Sequence, residues 1–290
     1  MNKRPVFLVA GGDLRQNYLA GKLSETGKVY TLGLDKNAAV KGAFTLPSVE
    51  DIPEAVDYIV FPLPVTNDGV NVNMPFFEEK VSLYSFLPYL KHNAVIFGGK
   101  VEKEASIFTY KGFEVIDYLE REELTVQNAI PTSEGAIQIA MEELPTTIFG
   151  QKILITGFGR ITKVMVKALI GLGAEVYITA RKYSDLAWAR IFGCEALHIS
   201  ELDGNLSVFD IVFNTVPAVL LDERKLSQLK DGCLVIDLAS KPGGVDFETA
   251  GRLGIKTIWA LSLPGKVAPV TSGEIIAGTI LNILSERGEV

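Results

Sequence analysis

Residues 155–162 read Ile-Thr-Gly-Phe-Gly-Arg-Ile-Thr, and they join an apolar run to a helical pattern through two closely spaced glycines. Such a turn suits the close approach of main chain to a diphosphate. Gly157 permits the tight turn and Gly159 lets the backbone come near the phosphates. The N–H groups of Gly159, Arg160 and Ile161 at the helix start would receive the charge. The third glycine of such a turn is Thr162 here, a change that bears on helix–strand packing more than on the phosphates. At the end of the next apolar run stand Thr179, Ala180, Arg181 and Lys182. The acid that would accept from the ribose 2′-hydroxyl of NAD is missing, and two cations stand where a 2′-phosphate would lie. The expected cofactor is NADP, with NAD the less favoured choice. Asn214, Thr215 and Pro217 close a further apolar run and are expected beside the adenine ribose and the nicotinamide.

Other residues could bind or turn over a substrate. Lys241, in the turn Ser240-Lys241-Pro242-Gly243-Gly244, is aimed at the same crevice. It can bind a carboxylate or stabilise developing negative charge, and it is the one catalytic candidate. Gly11 and Gly12 open a helix whose first turn carries Arg15. Gly12 and Arg15 thus form a candidate anion site, with a bidentate clamp available. Thr132 and Ser133 stand at an expected helix start, where they bind a carboxylate or cap the helix. His92 and His198 are the only histidines, and neither has the surroundings of a catalytic acid–base, which disfavours a histidine-driven 2-hydroxyacid reaction. Cys194 and Cys233 are expected as buried free thiols. No His/Cys/carboxylate cluster has metal-ligand spacing, so no metal site is expected.

These residues need elements to hold them. Short apolar runs alternate with helical patterns twice along the chain, which predicts two doubly wound parallel α/β sheets. In the first half the strands are expected at 6–10, 29–34, 58–62, 94–97 and 114–118, with a helix at 14–23. In the second they are expected at 153–156, 176–179, 211–215, 234–238 and 256–260. Ile161, Val164, Met165, Ala168, Leu169 and Leu172 recur at helical spacing after the glycine turn. The expected domains are a flavodoxin-like substrate domain at 1–130, a linker helix at 131–146 and a Rossmann dinucleotide domain at 147–290. The last helix, from Thr271, is apolar on more than one face. One face can pack back on the first domain, and another can meet a second copy, so a homo-oligomer is expected.

Composition narrows the functional classes. The 290 residues are 48% hydrophobic and 22% charged, in the range of globular proteins. A net charge of −7 argues against broad nucleic-acid binding. No apolar run is long enough to span a bilayer, and the N-terminal apolar stretch reads as a strand, not a leader. A reducing cytoplasm is the expected location.

The blocks "VAGGDLRQNYLAGKL", "IPTSEG", "GFGRIT", "NTVPAVLL", "DLASKPGGVDF" and "LPGKVAPVTSGEIIA" together resemble the dipicolinate synthase A-subunit family of spore-forming bacteria. The likeness covers essentially the whole chain. It implies oxidation of a dihydrodipicolinate-type dicarboxylate from the lysine pathway to dipicolinate, with a nicotinamide cofactor. It also implies work in the sporulating mother cell and a flavoprotein-like partner, the B-subunit of dipicolinate synthase. An NADP-binding, non-catalytic scaffold for that partner is the alternative.

Overall fold

The computed structural model describes residues 4–38, 40–101 and 106–290. The chain forms two compact units. The first runs to Asn128 and is completed by Ala268–Val290; the second is Ala129–Val267.

In the first unit β1 (Val6–Ala10) is followed by α1 (Leu14–Leu23), β2 (Lys28–Leu32), β3 (Ala43–Leu46), β4 (Val56–Val60) and β5 (Leu90–Gly98). Then come α2 (Ser106–Tyr110), β6 (Glu114–Asp117) and the start of α3 (Glu122–Glu143). All neighbouring strands pair in parallel, in the order β3-β2-β1-β4-β5-β6. Every residue of β1 is buried, as a central strand covered on both faces requires. Its side chains alternate: Phe7 and Val9 pack with Leu19, Ile276 and Ile280 on one face, while Val6, Leu8 and Ala10 pack with Phe61 and Phe86 on the other. The expected flavodoxin-like arrangement is corrected here. The short, partly exposed strand β3 adds an edge beside β2 and makes the order 3-2-1-4-5-6, whereas a flavodoxin-like sheet runs 2-1-3-4-5.

The second unit contains β7 (Lys152–Thr156), α4 (Arg160–Gly171), β8 (Glu175–Ala180), α5 (Tyr183–Ile191), β9 (Glu195–His198) and β10 (Ile211–Asn214). It continues with α6 (Glu223–Leu226), β11 (Leu234–Asp237), α7 (Phe247–Arg252), β12 (Lys256–Trp259) and α8 (Leu263–Val267). Its sheet is also wholly parallel, ordered β12-β11-β10-β7-β8-β9, which is the same 3-2-1-4-5-6 pattern. Ile153 and Ile155 face one core and Leu154 the other.

Two helices differ from expectation. The linker helix expected at 131–146 is the later part of α3, which begins at Glu122 and runs through Pro131. A proline inside a helix removes one N–H donor, but here it does not end the helix. Thr132 and Ser133 therefore lie in mid-helix and not at a helix start. The second difference concerns α9 (Pro269–Glu286), which belongs to the first unit and packs along α1. Gly273 allows the close approach, since a Cβ there would overlap the Arg15 carbonyl oxygen. Ile275, Ile276, Ile280, Ile283 and Leu284 are all buried within this unit. The extra apolar face of the helix is thus used within this unit. Tyr58 donates to Glu289 at 2.7 Å, Arg121 clamps Glu286 and Arg287 clamps Glu114, so the end of α9 is also tied by charge.

Candidate functional site

In an open doubly wound sheet, ligands bind outside the carboxyl ends of the strands, where the strand order reverses. That point lies between β1 and β4 in the first sheet and between β7 and β10 in the second. The two differ in whether the chain itself fills them.

In the first unit the glycine turn is occupied. Gly11 and Gly12 take positive φ, and the Gly12 N–H donates to the Asn73 carbonyl at 2.8 Å. A Cβ at Gly11 would lie 2.7 Å from both Asn73 O and Met74 Cγ, and one at Gly12 would lie 2.8 Å from Pro62 Cβ. Gly12 is buried, with its donor spent, so it is not the anion contact expected of it. Arg15 is also engaged. Asp13 caps α1 and takes the Arg15 Nε and Nη2 groups at 2.8 Å each, with Leu63 O 3.4 Å from Nη2. Burial works against the guanidinium charge, but the hydrogen bond to Asp13 and its charge together outweigh it and hold the pKa above its ordinary value. Ser133, expected as a substrate contact, belongs to the second unit and is 1% exposed; its hydroxyl lies 2.7 Å from Ala129 O and 3.1 Å from Ile161 O. It is turned inward, as serines within helices often are.

In the second unit the turn stays open. Gly157 has φ +87°, its N–H donates to Thr179 O at 2.8 Å, and it lies against the Thr215 hydroxyl. Gly159 is exposed and forms the N-cap of α4 without a side-chain cap; a methyl group placed on it would meet nothing within 4 Å among the described residues. An uncapped helix start beside a glycine turn and open space is what a diphosphate needs. Arg160 is exposed and Ile161 half-buried at this start. Thr162, in place of the third glycine, is fully buried and donates its hydroxyl to Gly157 O at 3.1 Å, so the side chain itself ties helix to turn. Thr179 is 1% exposed, and its Oγ1 has no partner among the described residues. Arg181 and Lys182 are exposed just past the end of β8.

The loops after β10 and β11 are held by a buried polar network. Asn214 is fully buried and spends its whole amide on the chain. Its Oδ1 accepts from the Thr156 hydroxyl at 2.5 Å and from Val216 N at 3.3 Å; its Nδ2 donates to Val216 O at 3.0 Å and Asp237 Oδ1 at 2.7 Å. With all four capacities used, Asn214 is not the cofactor contact expected of it. It holds the loop instead. Asp237, also fully buried, accepts from Ala239 N at 3.0 Å and Gly244 N at 2.8 Å as well. These bonds close the turn that displays Lys241, which is exposed. Thr215 donates to Thr156 O at 2.6 Å, and Pro217 is exposed beyond it. Gly244 is required, because a Cβ there would overlap Asn214 Nδ2.

The comparisons with known proteins agree with this geometry. Residues 6–119 match the family described as the N-terminal domain of the dipicolinate synthase A-subunit. Residues 125–242 match "D-isomer specific 2-hydroxyacid dehydrogenase, NAD binding domain". Over 283 residues the chain is 33% identical to the dipicolinate synthase A-subunit of Bacillus subtilis (strain 168), covering 96% of this chain and 95% of that protein. The chain belongs to the dipicolinate synthase A-subunit family. Crystal structures of this A-subunit from Bacillus halodurans and Bacillus subtilis superpose with TM-scores of 0.89 each, at 30% and 32% identity. They cover 98% and 100% of this chain and 99% of each of those chains. A transhydrogenase from Sinorhizobium meliloti shares the fold, with a TM-score of 0.73 at 16% identity over 97% of this chain and 94% of that one. The second unit thus carries a nicotinamide-dinucleotide-binding domain of the dehydrogenase type, and the family is of the oxidoreductase kind.

Other groups lie apart from this chemistry. Burial pushes the Cys194 thiol up to about 11 and the Cys233 thiol up to about 12, so both resist becoming thiolates. Among the described residues no group of three or more His, Cys, Asp or Glu could hold a metal ion, and no helix is long and apolar enough to cross a membrane. The network of Thr156, Asn214 and Asp237 is not readable in the sequence. Its only local signal is a polar residue ending each of three apolar runs, and that signal does not say whether the side chains face a ligand or one another.

Proposed function

We propose that this chain binds NADP in its second unit and, with the B-subunit of dipicolinate synthase, oxidises a dihydrodipicolinate-type dicarboxylate to dipicolinate during sporulation, in the mother cell. The observation that carries this reading is the open glycine turn at Gly157–Gly159 with Arg181 and Lys182 exposed past the neighbouring strand. The residues fit the cofactor: α4 starts without a side-chain cap, and no acid stands beside Arg181 in sequence to repel a 2′-phosphate. A bound nicotinamide would supply a two-electron hydride acceptor for a ring carbon of the substrate. The second ring hydrogen leaves as a proton, so the ring becomes aromatic. The protein's main task is then to place the ring and hold its carboxylates.

Lys241 is our candidate for that task in the second unit, as a carboxylate partner on a turn fixed by Asp237. Arg15, in the first unit, and Thr132, on α3, are the other candidates for the dicarboxylate. A carboxylate at Arg15 would bind through Nη1, because Asp13 takes the other edge. The first unit is on this reading the substrate domain.

The test is a titration of the full chain with NADP and NAD, followed by an assay of NADP reduction with freshly generated dihydrodipicolinate, with and without the B-subunit. NADP should bind more tightly, and Arg181→Ala should remove most of the difference, about tenfold for one charge-assisted contact. Equal affinities in the unaltered chain would refute the NADP choice. Binding without any turnover, even with the B-subunit present, would point to the scaffold alternative.

A further inference from the structure

His198 has no place in the oxidation, yet both of its ring nitrogens are committed. It is the last residue of the edge strand β9 and stands opposite Ala180 in the sheet register. Nε2 lies 3.1 Å from the carbonyl oxygen of Arg181. A carbonyl only accepts, so Nε2 carries the proton in this contact. Nδ1 is then the acceptor, and it faces the Ser200 hydroxyl at 2.7 Å and the Ser200 N–H at 3.3 Å. The backbone N–H of His198 is in turn held by Glu201 at 3.0 Å. The imidazole is thus fixed from its own strand end and reaches across to the segment after β8.

That segment has few other holds. Arg181 and Lys182 are exposed, and Lys182 is the N-cap of α5 without a side-chain cap. Tyr183, at the first position of α5, is 76% exposed, and its ring stacks on the His198 ring at 5.0 Å with planes 15° apart. One side chain therefore grips this segment twice, at the carbonyl of Arg181 and at the ring of Tyr183. A long cation binds a phosphate well only if its backbone is already placed, since ordering it on binding subtracts from affinity.

We propose that His198 is a positioning residue for cofactor choice: it fixes the Arg181–Tyr183 segment so that Arg181 meets the 2′-phosphate that distinguishes NADP from NAD. This rests on Arg181 being the 2′-phosphate contact of the proposed function. A residue on the far edge of the sheet thereby sets specificity without touching the nucleotide's reacting end.

Two near-isosteric variants separate the contacts of the ring. His198→Asn keeps an acceptor toward Ser200 and loses the donor toward Arg181 O. His198→Gln keeps a donor at the Nε2 position and loses the acceptor. Dissociation constants for NADP and NAD are measured on the full chain for both variants, for Arg181→Ala and for the unaltered protein. The expected result is that His198→Asn weakens NADP by about threefold to tenfold, the weight of one net hydrogen bond, with NAD unchanged within about twofold. His198→Gln should keep the preference. If Arg181→Ala loses the preference while His198→Asn retains it, the inference is overturned. Equal weakening of both nucleotides by His198→Asn would also overturn it, because that is the mark of a general structural role. A preference that survives Arg181→Ala overturns instead the assignment of Arg181, and shows which of the two claims has failed.

Discussion

Replacing Asn214 by Asp tests the buried network at its centre. The change is close to isosteric, but it turns the donor facing Asp237 into a second carboxylate. The two groups meet at 2.7 Å with neither exposed to water. Two unit charges at that distance repel by about 6 kcal/mol at an effective dielectric of 20. The folded protein avoids this by keeping a proton on the introduced carboxyl, whose unfolded pKa is about 3.9. Holding that proton costs about 1.4 kcal/mol per pH unit, so the penalty is about 1.5 kcal/mol at pH 5 and about 5.5 kcal/mol at pH 8. The folded state binds more protons than the unfolded state over this range, so stability falls as pH rises. The measurement is urea unfolding of the variant and the unaltered protein at pH 5, 6.5 and 8, followed by fluorescence. The difference between them should widen by several kcal/mol toward pH 8. A difference independent of pH would refute the reasoning, because the two side chains could not then be facing each other out of water. An Asn214→Ala control should cost stability at every pH without this slope, since it adds no charge.

Thr162→Gly restores the usual third glycine and should weaken the protein rather than improve it. The variant loses a buried hydroxyl bond to Gly157 O and a buried methyl group, together about 2 kcal/mol, readable by chemical denaturation. NADP affinity should not rise, and a tighter-binding, equally stable variant would contradict the packing role. Arg287→Ala removes a two-point clamp on Glu114, whose carboxyl the hydrogen bond from Arg287 holds below its ordinary value. A lowered folded pKa gives stability that is present above the unfolded value and lost as pH falls through the folded one, so the variant should cost about 0.5 kcal/mol at pH 7 and progressively less in acid. A cost that grows in acid would show that the pair is not the cause.

Much of the fold is legible because it rests on local patterns. Buried parallel strands are short continuous apolar runs, and those at β1, β7, β10 and β11 stand out from the helical spacing around them. The edge strands β3 and β9 do not. Each has four residues, none of them buried, so edge position rather than a continuous apolar run defines them. Without β3 the first sheet reads as flavodoxin-like. The early start of α3 is hidden by Pro131, because a proline ordinarily marks a boundary. Nothing local shows that the residues before it are already helical.

The site shows a different limit. Gly11-Gly12 and Gly157-Phe158-Gly159 look alike as sequence: each follows an apolar strand, and each precedes a helix. Both sheets even share one strand order, so topology offers each turn the same opportunity. The difference is made by residues about sixty positions further along. In the first unit the chain after β4 returns Asn73 and Met74 onto the turn, and the Gly12 N–H is spent on Asn73 O. In the second, the chain after β10 brings Thr215 to the end of β7, where it hydrogen-bonds Thr156 O and leaves Gly159 uncovered. A backbone donor that is already paired has no free energy to give an anion, whereas a helix start without a side-chain cap keeps its dipole toward one. The choice between a structural turn and a phosphate cradle is therefore set by a long-range contact, not by the glycines themselves.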